Sequence, residues 1–384
     1  MVEEFPLIEV GGPPRERGRQ YGRQAAERIA LGVAHYTAQL ERAAFDRGAI
    51  RALVQDYVPR MDAFEPAYVE EMRGIAEGAR LEFEDVALLN ARTEILKLGL
   101  RPDLRRRLAA DDEACTGVVA LPEATEGRRL IHAQNWDWKV ECAATAVVLC
   151  VRRDDGPDLL TFTEAGGLAR SGFNSAGVAI TANYLESDRD YRQLGVPLAL
   201  IRRQVLESRE LALAMRTVYV TPKSAANNMI VSHAEGLAID FECGPDETFQ
   251  VHPEAGLLVH ANHFVSPVAL AKLRDTGIAN TPDSLYRDVR VRSLLAPQIG
   301  AITRESVKAA LFDDFAAPWS VCRPPRRGVT DTLSATVAMV VMEPRLGLME
   351  VAPLPALNRR FTSYHLEVVD SPAPRDYAVG ARFS

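Results

Sequence analysis

The stretch DDEACTGVVA (111–120) passes within ten residues from acidic, polar chain to apolar, β-branched chain, and one cysteine, Cys115, stands at the change. After it come short apolar runs bounded by Gly, Pro and Asp, which predict strands: CTGVVALP (115–122), RRLIHAQNWDW (128–138), TAVVLCVRR (145–153), DLLTFTEAG (158–166) and GVAITANYL (177–185). Before it, RERGRQYGRQAAERIALGVAHYTAQLERAA (15–44) spaces its apolar residues as a helix does. FEPAYVEEMRGIAEGARLEFEDVALLNARTEILKL (64–98) reads as two helices parted near residues 78–81. Two more helices are expected in 196–218, and strands in 226–233, 236–244 and 256–264. A helical block follows over 283–313, then closing strands over 332–344 and 347–355. Hairpin-spaced strands with helices in blocks predict antiparallel sheets covered by helices, an α+β architecture, and not repeated βαβ units. The texture changes at Cys115, so residues 1–114 form a helical N-terminal segment and 115–384 the core.

The chain has 384 residues, 47% hydrophobic and 25% charged, a globular composition with room for a large core. A formal net charge of −7 argues against a nucleic-acid surface. The run RPDLRRRLAA (101–110) is local and reads as a solvated helix face. MVEEFPLIEV (1–10) has neither the charged nor the apolar region of a secretory signal, and no run is long enough to span a bilayer. The five cysteines (115, 142, 150, 243 and 322) are odd in number and unpatterned. Together these predict a cytoplasmic protein without a membrane partner.

Cys115 opens a strand, and that placement allows specific chemistry. If the Ala114–Cys115 peptide is cut, the cysteine gains a free α-amine. Such an amine titrates near pH ~8, against ~10 for lysine, so it can activate a neighbouring thiol near neutrality. The thiol itself can make the cut through a thioester on Ala114. The plain alternative is a small core cysteine on an edge strand. Asp137, between two tryptophans at the end of the second strand, can return beside Cys115 through a hairpin and orient the amine. A turn cap explains Asp137 equally well.

CTGVV (115–119) followed by AQNWDW (133–138) resembles the acyl-coenzyme A:isopenicillin N acyltransferase family, the C45 group of N-terminal nucleophile (Ntn) hydrolases. Further blocks resembling that family run along nearly the whole chain: GGPPRERGRQYG (11–22), residues 70–95, HANHF (260–264), DSLYRDVRVRSLL (283–295) and TLSATVAMVVMEP (332–344). The resemblance implies a four-layer αββα sandwich, made as a precursor that cleaves itself between Ala114 and Cys115. It implies amide hydrolysis or acyl transfer through an acyl-thioester on Cys115. No cofactor is implied; the partners are a small-molecule amide or acyl-coenzyme A as co-substrate, and the two cleaved fragments, which stay associated. By position Asp137 resembles the amine-orienting aspartate, Asn262 an oxyanion-hole donor, Asn183 a second polar residue of that site, and Arg287 an arginine paired with the nucleophile region. Gln134 stands where bile-salt and penicillin V hydrolase relatives carry arginine. Gln134, Trp136 and Tyr184 are expected to line the substrate site.

Three rival readings remain. His260 and Asn262 lie downstream of Cys115 at distances that suit a papain-like thiol hydrolase, although that class's cysteine signature is absent. His260 and His263 in HANH would be metal ligands if helical; read as a strand they face opposite sides. The third is a catalytically silent binding protein on the same scaffold.

Overall fold

A computed structural model describes residues 2–98, 114–327 and 333–368 of the chain. The basic run 101–110 and the acidic residues 111–113 lie outside the described residues. The N-terminal part holds strand β1 (Leu7–Gly11) and helices α1 (Pro14–Gln24), α2 (Ala26–Arg42), α3 (Arg47–Phe64), α4 (Pro66–Ala79), α5 (Phe83–Asn90) and α6 (Arg92–Leu98). Strands β2 (Ala114–Ala120), β3 (Ile131–Lys139), β4 (Ala146–Arg152), β5 (Leu159–Glu164), β6 (Ser171–Asn174) and β7 (Val178–Tyr184) follow. Helices α7 (Leu198–Glu207) and α8 (Leu211–Val220) precede β8 (Asn227–His233), β9 (Leu237–Cys243), β10 (Thr248–Val251) and β11 (Leu257–His260). The remainder comprises α9 (Pro267–Lys272), α10 (Ser284–Leu295), α11 (Arg304–Leu311), β12 (Arg326–Arg327), β13 (Leu333–Glu343), β14 (Leu348–Pro353) and β15 (Thr362–His365).

These strands build two sheets. The first runs β1-β4-β5-β6-β7-β8-β9-β10; the second runs β11-β2-β3-β13-β14-β15, with β12 on β13. All pairings are antiparallel except β1 with β4. Alongside its helices, the N-terminal segment thus contributes one strand, β1, to the first sheet. β1 can lie parallel to β4 because six helices separate them, far more chain than a parallel crossover needs. The 64–98 stretch also breaks twice, at Arg80 in the left-handed conformation and again at Ala91.

The sheets face each other across a core of Val119, Leu121, Leu130, Ile230, Ala238 and Leu258. On the outer face of the second sheet, Val118, Ala133, Val259 and Val341 pack on Val291 and Leu295 of α10 and Val307 and Leu311 of α11. On the outer face of the first sheet lie the N-terminal helices and α7, sharing a core with Leu149 and Ile180, while Phe162 packs on Trp136 between the sheets. The result is helix–sheet–sheet–helix, four layers. No helix of the described residues is long and apolar enough to cross a membrane.

Gly18 and Gly22 on α1 and Gly74 and Gly78 on α4 let two helix backbones touch. A Cβ at Gly18 would lie 2.1 Å from the Glu71 carbonyl oxygen, and one at Gly74 2.1 Å from that of Arg15. Beside this contact a buried ion network ties α1 and α4 to α7: Arg17–Glu71 at 2.6 Å, Arg203–Glu71 at 3.0 Å and Arg203–Glu207 at 2.7 Å. Gly74→Ala is therefore expected to cost about 1–3 kcal/mol by overpacking against backbone. Gly32→Ala in α2, where a Cβ meets only Leu89 and Thr145 side chains at 3.5 Å or more, is expected to gain up to about 1 kcal/mol from helix propensity. Urea denaturation of both variants checks the contrast.

Candidate active site

The β2–β3 pairing sets the site. Cys115 lies opposite Trp136, Ala114 opposite Asp137, Thr116 opposite Asn135 and Gly117 opposite Gln134. Side chains of paired residues share a face and alternate along the strand. Cys115 and Trp136 therefore face the first sheet, while Ala114, Thr116 and Asp137 face α10 and α11. Gly117 has no side chain where the sheets come closest: a Cβ there would meet Ile230 Cδ1 at 2.8 Å.

The backbone around Cys115 is held from several directions. Its N–H donates to Asn262 Oδ1 at 2.7 Å, and its carbonyl accepts from Arg287 Nη1. Arg287 also donates to Thr116 Oγ1 at 2.8 Å and to Asn262 Oδ1 at 2.8 Å. Asn262 Nδ2 donates to the Tyr184 carbonyl at 2.8 Å, so two donors meet Oδ1 and an acceptor meets Nδ2, which fixes the amide's orientation. The chain turns after His260, and Asn183 holds that turn by donating to the carbonyls of His260 and Ala261, both at 3.0 Å. Gln134 links the sheets: it donates to Asn183 Oδ1 and accepts from Ser171 Oγ, each at 2.7 Å.

On the far face of β2 lies a buried charged cluster. Asp137 Oδ1 accepts from Thr336 Oγ1 at 2.6 Å; its Oδ2 lies 3.4 Å from Arg323 Nε and accepts no hydrogen bond among the described residues. Arg323 also pairs with Asp283, which is 2.8 Å from Arg287 Nε one helical turn on. Burial would raise the Asp283 carboxyl, but Arg287 and Arg323 hold it below the usual range. Burial and the nearby Arg323 lower Arg287 from the ordinary arginine value. A bulge between Thr336 and Ala338 shifts the β13 register beside the Asp137–Thr336 pair, re-aiming that strand at the site. On the near face Arg170 Nη2 lies 3.8 Å from Cys115 Sγ.

Sequence reasoning missed Arg170, Asp283, Arg323 and Thr336. The Asp283–Arg287 spacing of four on a helical pattern was a usable signal; the other three carry none, because only packing brings them together. His260 also differs from expectation. β11 ends at His260, so His260 and His263 do not alternate across a strand; their rings stack 6.4 Å apart. His260 Nε2 bonds Glu242 Oε1 at 2.8 Å with Asp240 at 3.6 Å, and Nδ1 faces the Ala261 carbonyl at 3.0 Å. His263 bonds Ser284 instead, at 2.8 Å. Among the described residues no group of three His, Cys, Asp or Glu side chains could hold a metal.

A four-layer α+β sandwich carrying a cysteine in this setting has recognisable relatives. Residues 124–350 match the family described as acyl-coenzyme A:6-aminopenicillanic acid acyl-transferase, and the chain belongs to that family of acyl-transferring enzymes. The matched stretch contains Asp137, Asn183, Asn262 and Arg287 and begins just downstream of Cys115. The chain is 29% identical over 322 residues to the 40 kDa form of acyl-coenzyme A:6-aminopenicillanic-acid-acyltransferase of Emericella nidulans, covering 83% of this chain and 84% of that one. Weaker likenesses are to a mutant conjugated bile acid hydrolase of Clostridium perfringens (TM-score 0.46, 13% identity, 66% of this chain and 92% of that one) and a penicillin V acylase of Agrobacterium tumefaciens (0.44, 16%, 62% and 83%).

Burial alone would lower the His260 pKa, but Asp240 and the Glu242 hydrogen bond lift it to about 9. Both ring nitrogens face acceptors, so the ring is an imidazolium that offsets two buried carboxylates. His260→Gln should leave those carboxylates uncompensated and cost about 3–5 kcal/mol. The proton is bound more tightly in the folded state than at the unfolded value of about 6.5. This stabilisation is thus complete below about pH 6.5 and lost as pH rises through about 9. Urea melts at pH 7 and pH 10 should show the wild type losing a stability increment that His260→Gln lacks.

Proposed function

We propose that the chain is the precursor of an N-terminal cysteine enzyme that cuts itself between Ala114 and Cys115 and then carries acyl groups on the Cys115 sulfur. The observation that supports this best is the buried Asp137 Oδ2, an acceptor without a hydrogen bond among the described residues, on the residue opposite Ala114. A peptide nitrogen has one hydrogen, and that of Cys115 already goes to Asn262. Cutting the peptide turns this nitrogen into an amine with further donors, for which Asp137 is a ready acceptor.

In the first step Sγ bonds to the Ala114 carbonyl carbon as the C–N bond breaks, and the thiol proton passes to the departing nitrogen. Water then opens the thioester, leaving a carboxylate on Ala114 and restoring the thiol. In turnover the α-amine takes the thiol proton and the sulfur attacks an acyl carbon. A linear amide or acyl-coenzyme A is the donor; an amine or coenzyme A leaves, and the thioester passes its acyl group to water or to an amine. The second N–H of Asn262 is the proposed donor to the oxyanion. Trp136 and Tyr184 belong to the proposed substrate wall. The fragments 1–114 and 115–384 remain associated, since β1 pairs with β4 along five residues. Five cysteines, all free and buried, fit a cytoplasmic setting.

A papain-like pair fits less well, because a His260 ring facing acceptors at both nitrogens has no lone pair to take the thiol proton. Denaturing mass spectrometry tests the reading: fragments of about 12 and 30 kDa are expected, from ~110 Da per residue, and Cys115→Ala should stay in one piece. An alanine variant cut as completely as the wild type would end this reading.

Asn262→Ala should fold and lose about 10²–10³ in turnover, the usual cost of one oxyanion donor. Asp137→Asn should cripple turnover by removing the charge that holds the amine, whereas a turn-cap role predicts only about 1 kcal/mol of lost stability. Steady-state rates on folded variants, with an acyl amide or acyl-coenzyme A as substrate, separate these outcomes.

A further inference from the structure

Arg170 belongs to none of the motifs above, yet its guanidinium reaches the Cys115 sulfur. Nη2 lies 3.8 Å from Sγ, and the side chain is only 5% exposed. The guanidinium lies 4.2 Å over the Trp136 ring, and Trp136 is the register partner of Cys115. The cation–π contact with the ring holds the guanidinium in place while Nη2 donates toward the sulfur. The root of the side chain is pinned as well: the Arg170 N–H donates to Thr161 Oγ1 at 3.2 Å, and the next residue, Ser171, bonds Gln134 on β3.

Among the described residues, other charges close to Trp136 and the site have partners of their own or lie across the strand. Arg92, 6.0 Å from the Trp136 ring, is paired with Glu164 at 2.5 Å. Arg287, Asp283, Asp137 and Arg323 form their own cluster on the α10 side of β2. Gln134, the next same-face residue of β3, is uncharged. In the cut chain the Cys115 α-ammonium would join from the strand end.

We propose that Arg170 is a catalytic residue, the cation that holds the Cys115 sulfur as a thiolate until it attacks. This rests on Cys115 being the nucleophile. When the α-amine takes the thiol proton, the sulfur is left as a buried anion, and a guanidinium at this distance favours that form. As the sulfur bonds to the acyl carbon its charge moves to the oxyanion, and Arg170 needs only to stay in place, fixed by Trp136.

The test is the pH dependence of Cys115 alkylation by iodoacetamide, read by peptide mass spectrometry in the wild type, Arg170→Gln and Arg170→Lys, each checked for its thermal midpoint. The expected result is a midpoint about 1–3 pH units higher for Arg170→Gln and mostly restored in Arg170→Lys. A packing role through Trp136 would leave the alkylation midpoint unmoved. An unchanged midpoint in Arg170→Gln, or a lysine variant shifted as far as the glutamine one, overturns the proposal. Should Arg170→Gln not fold, the lysine variant alone decides: a midpoint near wild type supports the charge role, and a large rise refutes it. Alkylation reads the thiol whether or not the chain is cut, so a failure of self-cleavage is seen separately, in the fragment masses.

Discussion

The antiparallel register of β2 on β3 is the constraint from which the site follows. Because side chains alternate faces, the pairing of Cys115 with Trp136 sends the sulfur toward the first sheet, and that of Ala114 with Asp137 sends the carboxylate toward α10. A slip of one residue would exchange the two faces, putting the sulfur among the charged groups and Asp137 against an aromatic ring. Side-chain bonds beyond the ladder secure the register. Thr116 is held by Arg287, and Asn135 donates to the carbonyls of Leu311 and Val321 at 2.8 and 3.0 Å. Thr336 on β13 holds Asp137.

The two faces do different work. Toward the helices, Arg287 and Asn262 hold the backbone of Cys115, and Asp137 sits beside them with Thr336 and Arg323. Toward the first sheet, Arg170 stands by the sulfur and over the Trp136 ring. One strand thus presents its main chain to one set of groups and its side chain to another, which is what the proposed self-cleaving nucleophile requires. Burying so much charge is costly unless every ion has a partner. In the Asp283–Arg287–Arg323–Asp137 cluster the ions are shared in series, so the loss of any one is felt by the rest.

Neutral polar groups between the sheets complete the scaffold. His132 bonds Ser232 Oγ and Thr181 Oγ1, each at 2.8 Å, and burial lowers its pKa to about 3, so it stays uncharged and ties β3 to β7 and β8. It contrasts with His260, whose carboxylate neighbours keep it charged. The same residue type in one interface takes opposite states because its partners are hydroxyls in one place and carboxylates in the other.

Much of this was legible in the sequence, for local reasons. Apolar, β-branched runs, as in AVVLCV (146–151) and MIV (229–231), became strands, and the helical periods before Cys115 became helices, because period and propensity act over neighbouring residues. β6 and β10, four residues each, were too short to carry a period. β1 was hidden because a strand pairing with chain more than a hundred residues away leaves no local pattern. At the site, Cys115 and Asp137 stood out by their positions at the start of one strand and the end of the next, and Asn262 and Arg287 by their family blocks. Arg170, Arg323 and Thr336 did not, since nothing about GLARSGFN (167–174) or its neighbours says which sulfur or carboxylate they will meet. Sequence determined which residues could do chemistry and on which elements they ride. Tertiary structure alone decided which charges stand together, because the distance between two side chains on separate strands is set by sheet register and layer packing.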